Sequence, residues 1–298
     1  MQSQIYFLSQ ELTLLIILLV SILFAGIGII YSKQHQGLEN YLTANRSVGV
    51  TSLTTSLVAS ALGAWILFGP ASAATWGGIG SVIGYSLGTA FPMIALIFLG
   101  TKLRKVFPQG KTLTEFIHHK FGENLFKLIL LLTIFYMFIF LCAEVTAISM
   151  LVNYISGTPL WITAILVVVT TLTYTLYGGL RASIFTDNLQ FFIVIILLFI
   201  CAYYLFYLNY DDISFQVIQT NSKHLLSSRY IPNYTAGLTF FIAVAATNLF
   251  HQGNWQRVFA AKNNKVLKKS LWISFIIIIP IVFFMGISGI IAISLDSK

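Results

Sequence analysis

A lone carboxylate, Glu144, stands inside the apolar run 125–154, in the stretch FLCAEVTAISM. A charged side chain at bilayer depth is costly and marks a functional position by default. Three roles suit it: holding a cationic group of a solute, carrying a proton, or bracing a neighbouring helix. Thr133 and Ala147 share its helical face at 3.6 residues per turn. A second candidate group lies in SALGAWILFGPASA, where Gly63, Gly69 and Pro70 weaken a helix and Trp65 is placed to wall a pocket. A third lies at the middle of the seventh helix, in the run 234–253, where Thr247 and Asn248 could bind a solute through hydroxyl and amide, or cross-link helices. His251, Gly253 and Asn254 follow, and His251 reads as an interfacial anchor.

The fourth group is the polar block YTLYGGLRASIFTDNLQ, residues 174–190. Gly178 and Gly179 permit a tight turn between helices, because glycine accepts left-handed backbone angles. Asp187 is expected in the first turn of the next helix, where free N–H groups and the positive dipole end favour a carboxylate. Arg181 is near enough in sequence to pair with it. There is no G-K-[ST] phosphate loop, no His/Cys/Asp cluster at metal-ligand spacing and no nucleophile beside a base. These absences speak against ATP-driven transport, a bound metal and an enzyme. Cys142 and Cys201 sit in different apolar runs and read as packing residues.

The elements that position these groups follow from composition. The 298 residues are 57% hydrophobic and 9% charged, with mean hydropathy +0.87. Soluble domains carry about 25% charged residues, so the chain is an all-α integral membrane protein. Eight apolar segments, 12–31, 51–70, 78–101, 125–154, 160–177, 184–208, 234–253 and 271–294, are long enough or nearly so to cross a core of about 30 Å. They must be helices, because lipid offers the backbone no hydrogen-bond partner. The net charge of +8 does not point to nucleic acid. With the N-terminus outside, all basic residues but Lys223, Arg229 and Lys298 fall on cytoplasmic segments, as the positive-inside rule expects. The expected partners are the lipid bilayer, a small solute and its coupling ion.

The block 174–190 resembles the sodium:solute symporter family, whose members carry Y-T-x-x-G-G-x-x-A-x-x-x-T-D-x-x-Q at this bend. Tyr174, Thr175, Gly178, Gly179, Ala182, Thr186, Asp187 and Gln190 all fit. NWQRVFAAKNNK is similar to the family's Q-R-x-x-A-A-K, through Gln256, Arg257, Ala260, Ala261 and Lys262. The stretch around Gly63 looks like the substrate and ion region of the proline-type branch.

The resemblance implies a leucine-transporter-type inverted-repeat fold within a single transmembrane domain, 1–298. Residues 12–31 would be an extra N-terminal helix, 51–208 the first five-helix repeat, and 234–294 the first two helices of the second. A full second repeat needs three more helices. Matching breaks in the second and seventh helices mark the binding site of such folds. The implied function is sodium-coupled uptake of a small organic solute such as an amino acid or carboxylate, across the plasma (inner) membrane. Trp65, Gly63, Thr247, Asn248 and Glu144 would meet the solute. The carbonyls of Ala59 and Leu62 would meet sodium, the coupling ion, with no other cofactor. Proline-type members carry an aspartate where this chain has Ala61, so sodium is expected to bind weakly, or protons to replace it through Glu144. Two alternatives are the membrane sensor of a signalling histidine kinase and a non-functional fragment.

Overall fold

Glycines divide the long apolar runs into separate membrane passes. The computed structural model describes residues 6–208 and 222–296, and every named element among them is helical. The order is α1 (Gln10–Lys33), α2 (Leu38–Thr43), α3 (Val50–Ala61), α4 (Gly69–Val106), α5 (Leu113–Phe121), α6 (Glu123–Ser156), α7 (Leu160–Tyr203), α8 (Ile231–Phe250), α9 (Gln252–Ala260) and α10 (Asn264–Asp296). Short 3-10 turns link several of them. Ser9 opens α1 by accepting the Leu12 N–H at 3.3 Å, and Thr112 does the same for α5 through the Glu115 N–H at 3.1 Å.

α4 and α7 each contain a reversal. Gly78 has φ 63° and ψ −160°, and Gly179 has φ 58° and ψ −151°. That region is essentially open only to glycine. α7 and the turn after it run 48 residues from Leu160 to Tyr207. At 1.5 Å per residue this is about 70 Å, more than two bilayer cores. Five helices are individually long and apolar enough to cross a membrane. The reversal in α7 and two broken helices, α3 with the start of α4 and α8 with α9, bring the passes to eight.

Two details correct the sequence reading. Gly179 alone makes the turn, so the sixth pass begins at Leu180 and Asp187 lies two turns inside it, away from the helix N-terminus. Gly178 keeps ordinary angles. It is small because a Cβ there would collide with Ser32 Oγ and the Ala182 methyl.

α4 packs between α10 and α8. As the glycine spacing of 80, 84 and 88 suggests, α4 and α8 meet backbone to backbone. A Cβ at Gly80 would strike the Asn233 carbonyl, and one at Gly84 the Gly237 carbonyl. The buried centre is built from Leu53, Leu57 and Val58 of α3, Met93 and Leu96 of α4, Val258 and Phe259 of α9, and Leu267, Leu271 and Ile278 of α10. α10 clasps α3 through Ser270 Oγ, which donates to the Val50 carbonyl at 3.1 Å, and Ser274 Oγ, which donates to the Thr54 carbonyl at 3.4 Å. A parallel bridge joins Val48 to Ala261, stitching the start of α3 to the end of α9.

Candidate functional site

The second pass breaks where the sequence weakens it. α3 ends at Ala61, Leu62 leaves helical geometry at φ −101° and ψ 59°, and Gly63 is extended. The Leu62 N–H is shared between the Val58 and Ala59 carbonyls at 3.0 and 3.2 Å. The turn takes the Leu62 carbonyl out of the helical ladder. Beyond the break the first N–H groups have no helical partner, and Glu144 answers them. Its Oε2 accepts the Ala64 N–H at 2.6 Å. A Cβ at Gly63 would collide with that carboxylate, so glycine is required there by contact, not by backbone angle. Trp65 stacks on Tyr85 at 5.9 Å between ring centroids, and Tyr85 stacks on Phe240 at 4.5 Å. Gly63, Trp65 and Glu144 therefore meet at one place, and Glu144 braces the broken helix.

The seventh pass breaks at His251, which has φ −63° and ψ 116°. Here carbonyls are left over, and donors from α9 cover them. Asn254 Nδ2 donates to the Asn248 carbonyl and Trp255 Nε1 to the Leu249 carbonyl, both at 2.9 Å. His251 packs its ring on Phe140 of α6 at 4.8 Å. It stands at the break, not at the membrane edge expected of an anchor. The buried Asn248 donates back to the Val244 carbonyl at 3.0 Å. Thr247 bonds the Ala243 and Val244 carbonyls with its hydroxyl, while its own carbonyl accepts the Tyr136 O–H at 2.8 Å. Thr247 also lines a cavity of about 600 Å³ between α6 and α8, with Thr133, Tyr136 and Phe250.

Asp187 does not pair with Arg181. Its Oδ2 accepts from Ser56 Oγ of α3 at 2.6 Å and forms an ion pair with Arg257 Nη2 of α9. Arg257 Nε donates to Ser56 Oγ at 2.7 Å, and Nη1 to the Gly253 carbonyl at 2.8 Å. The triad joins three passes just inside the two breaks. It lies in the interior, with side-chain exposures of 6% for Arg257 and 15% for Asp187. Local sequence distance favoured Arg181, but both residues follow Gly179 on one helix, where a spacing of six residues sets their side chains about 120° apart, on different faces. Arg181 Nη1 instead bonds Asn40 Oδ1, the Ala44 carbonyl and Ser47 Oγ. Beside the triad, Asn188 Nδ2 donates to Ser52 Oγ and its Oδ1 accepts from Thr55 Oγ1, each at 2.6 Å. Ser52, Thr55, Ser56 and Asn188 were missed from sequence. The signal was the hydroxyl run Thr54, Thr55, Ser56 inside an apolar span. Of the remaining signature residues, Thr186 is buried and bonds the Ala182 and Ser183 carbonyls. Gln190 and Gln256 are half-buried.

This arrangement of broken helices can be compared with known proteins. A profile of the Sodium:solute symporter family matches residues 41–297. The chain belongs to the sodium:solute symporter family. Within it, the chain is 28% identical over 266 residues to a spermidine transporter of Candida albicans, covering 89% of this chain and 50% of that protein. It is 22% identical to sodium/glucose cotransporter 4 of Danio rerio, over 77% of this chain and 35% of that protein. A urea active transporter of Saccharomyces cerevisiae is 24% identical over 63% of this chain and 26% of its own length. Among solved structures, a Na+-coupled sialic acid symporter superposes with TM-score 0.72 at 17% identity, over 94% of this chain and 60% of that one. That likeness shows the fold, which is of the leucine-transporter type. The chain spans half the length of the spermidine transporter and about a third or less of the other curated relatives named here, and it is a multi-pass membrane protein.

Proposed function

We infer that these residues form the first eight passes of a sodium-coupled importer of a small organic solute, set in the plasma (inner) membrane with the N-terminus outside. The observation that carries this reading is the pair of broken helices, each with its loose backbone groups tied by a side chain. Residues 51–208 act as the first repeat and 234–294 as the start of the second, and the breaks fall in their leading helices. Sodium is a substrate of the cycle. The Ala59 and Leu62 carbonyls face it at the first break, since a hard cation is bound through oxygens. Two oxygens are about a third of the six or so expected for a hard cation. In a full inverted-repeat fold the others would come from the later helices of the second repeat. Gly63, Trp65 and Asn248 flank the solute site, with Glu144 fixing the shape of the first break, while Thr247 opens on the separate cavity between α6 and α8. Alternating access would rock α3 and α9 as one unit, because the Ser56–Asp187–Arg257 triad fastens them to the sixth pass.

Relatives named for spermidine, urea and glucose set the panel of solutes, with an amino acid and a carboxylate added. The test is uptake into inverted and right-side-out vesicles from cells with and without the gene. The expected result is entry of one solute that stops when sodium is replaced by choline and falls at least about tenfold in Asp187→Ala, the scale of a lost buried charge contact. Uptake that ignores sodium in every arm overturns the reading.

A further inference from the structure

We propose that the pocket enclosed by the end of α1, the start of α3 and the sixth pass is a binding site for a phosphate-type oxyanion. The pocket holds about 200 Å³ and is lined by Tyr31, Ser47, Gly49, Ser52, Arg181 and Asn188, among others. A water's share of liquid volume is about 30 Å³, so a tetrahedral oxyanion fits with water to spare.

Arg181 carries the argument. Its pairing with Asp187, natural from sequence, does not form, because Asp187 is held by Ser56 and Arg257. Among the described residues no carboxylate forms an ion pair with Arg181. All three acceptors it has are neutral, and all three sit on Nη1. Nε is buried without any partner. Nη2, for which no hydrogen bond is found among the described residues, is the donor left to an oxyanion, with Nε closed off behind it. The nearest acidic residue on α2, Glu39, is engaged by Lys111 at 2.7 Å.

Three further features of the pocket suit an anion. α3 is 12 residues long and its N-cap is Gly49, which has no side chain to cap the first turn. The N–H groups there point out of the helix end with its positive dipole. Ser52 Oγ already accepts from Asn188, which leaves its own proton to donate. The Tyr31 ring, stacked on Phe185 at 4.0 Å, closes the outer wall. Lys33 ends α1 and the Lys262 N–H bonds the carbonyl of Val48, a residue of the pocket; a phosphate would arrive there free in solution or on a lipid headgroup.

The experiment uses the purified, delipidated 298-residue protein in a neutral detergent. One arm adds inorganic phosphate. The other adds phosphatidylglycerol, with phosphatidylcholine as the uncharged-headgroup reference. Thermal midpoint and phosphorus NMR line width are read in both. The variants are Arg181→Gln, Ser52→Asp, which places a carboxylate in the pocket, and Lys105→Gln, an exposed charge outside the pocket. The expected result is a rise in midpoint with phosphate, phosphatidylglycerol or both, unchanged in Lys105→Gln and weakened about tenfold or more in Arg181→Gln. Ser52→Asp should raise the starting midpoint and no longer respond. Response to phosphate identifies the free ion as the source, and response only to phosphatidylglycerol identifies the headgroup. No response in either arm, or the same response in Arg181→Gln and Ser52→Asp as in the parent, overturns the site.

Discussion

Replacing Asp187 with Ala leaves the Arg257 guanidinium in the interior with two neutral acceptors, Ser56 Oγ and the Gly253 carbonyl. Breaking a buried pair on one side costs about 3–5 kcal/mol, because the surviving charge is left uncompensated. At 6% exposure Arg257 has almost no water to turn to, so the upper half of that range is expected. This corresponds to about three to three and a half decades in the unfolding equilibrium. Arg257→Met should cost somewhat less, because Asp187 keeps the Ser56 donor and is the more exposed partner at 15%. Removing both charges at once, as Asp187→Leu with Arg257→Met, should cost far less than the two single changes together, since an apolar pair of similar volume is often neutral. The assay is reversible unfolding in mixed micelles with increasing SDS, followed by tryptophan fluorescence; Trp255 sits two residues from Arg257 and reports the site directly. Single changes costing under about 1 kcal/mol, the scale of an exposed pair, would refute the reasoning. So would a double change equal to the sum of the singles.

Glu144→Ala should destabilise the break by about 1–3 kcal/mol, the cost of an unsatisfied buried donor, while Glu144→Gln keeps an oxygen for the Ala64 N–H and should recover most of it in the same SDS titration. Gly179→Ala should cost about 1–3 kcal/mol of backbone strain, more if Tyr41 cannot move from the new methyl; expression and elution as a single species measure it. Single cysteines at Gln109 and Ser228, in a background lacking Cys142 and Cys201, should label from opposite sides of intact cells, Ser228 from outside and Gln109 only after permeabilisation. The reverse pattern would invert the topology.

The passes were legible because each is an apolar run of bilayer length, and the breaks because glycine, proline and asparagine are costly inside such runs. Glu144 stood out as the carboxylate of an apolar span, and bracing was one of its three readings. Its partner, the Ala64 N–H, lies 80 residues away, a distance no periodicity encodes. The same limit hid the pairing of Asp187 with Arg257, 70 residues apart. Both residues had been singled out, each in its own motif, yet nothing in either motif says that they touch. Arg181 was given the wrong partner because proximity in sequence stands in poorly for direction: six residues along one helix put the two side chains about 120° apart. The hydroxyls of α3 escaped notice because serine and threonine occur throughout membrane helices, bonded back to their own carbonyls, as Thr101 and Thr170 are here.

The most direct test of a sodium-coupled importer built on these breaks is solute entry into vesicles driven by a sodium gradient alone. Membranes from cells that make the protein are loaded without ATP, and labelled spermidine, urea, glucose, an amino acid and a carboxylate are offered in turn. Sodium outside should drive one of them in above its equilibrium level, and monensin should abolish that accumulation. Vesicles lacking the gene, or carrying Asp187→Ala, should not accumulate it. Accumulation that persists without a sodium gradient, or that is the same with and without the gene, would contradict the assignment.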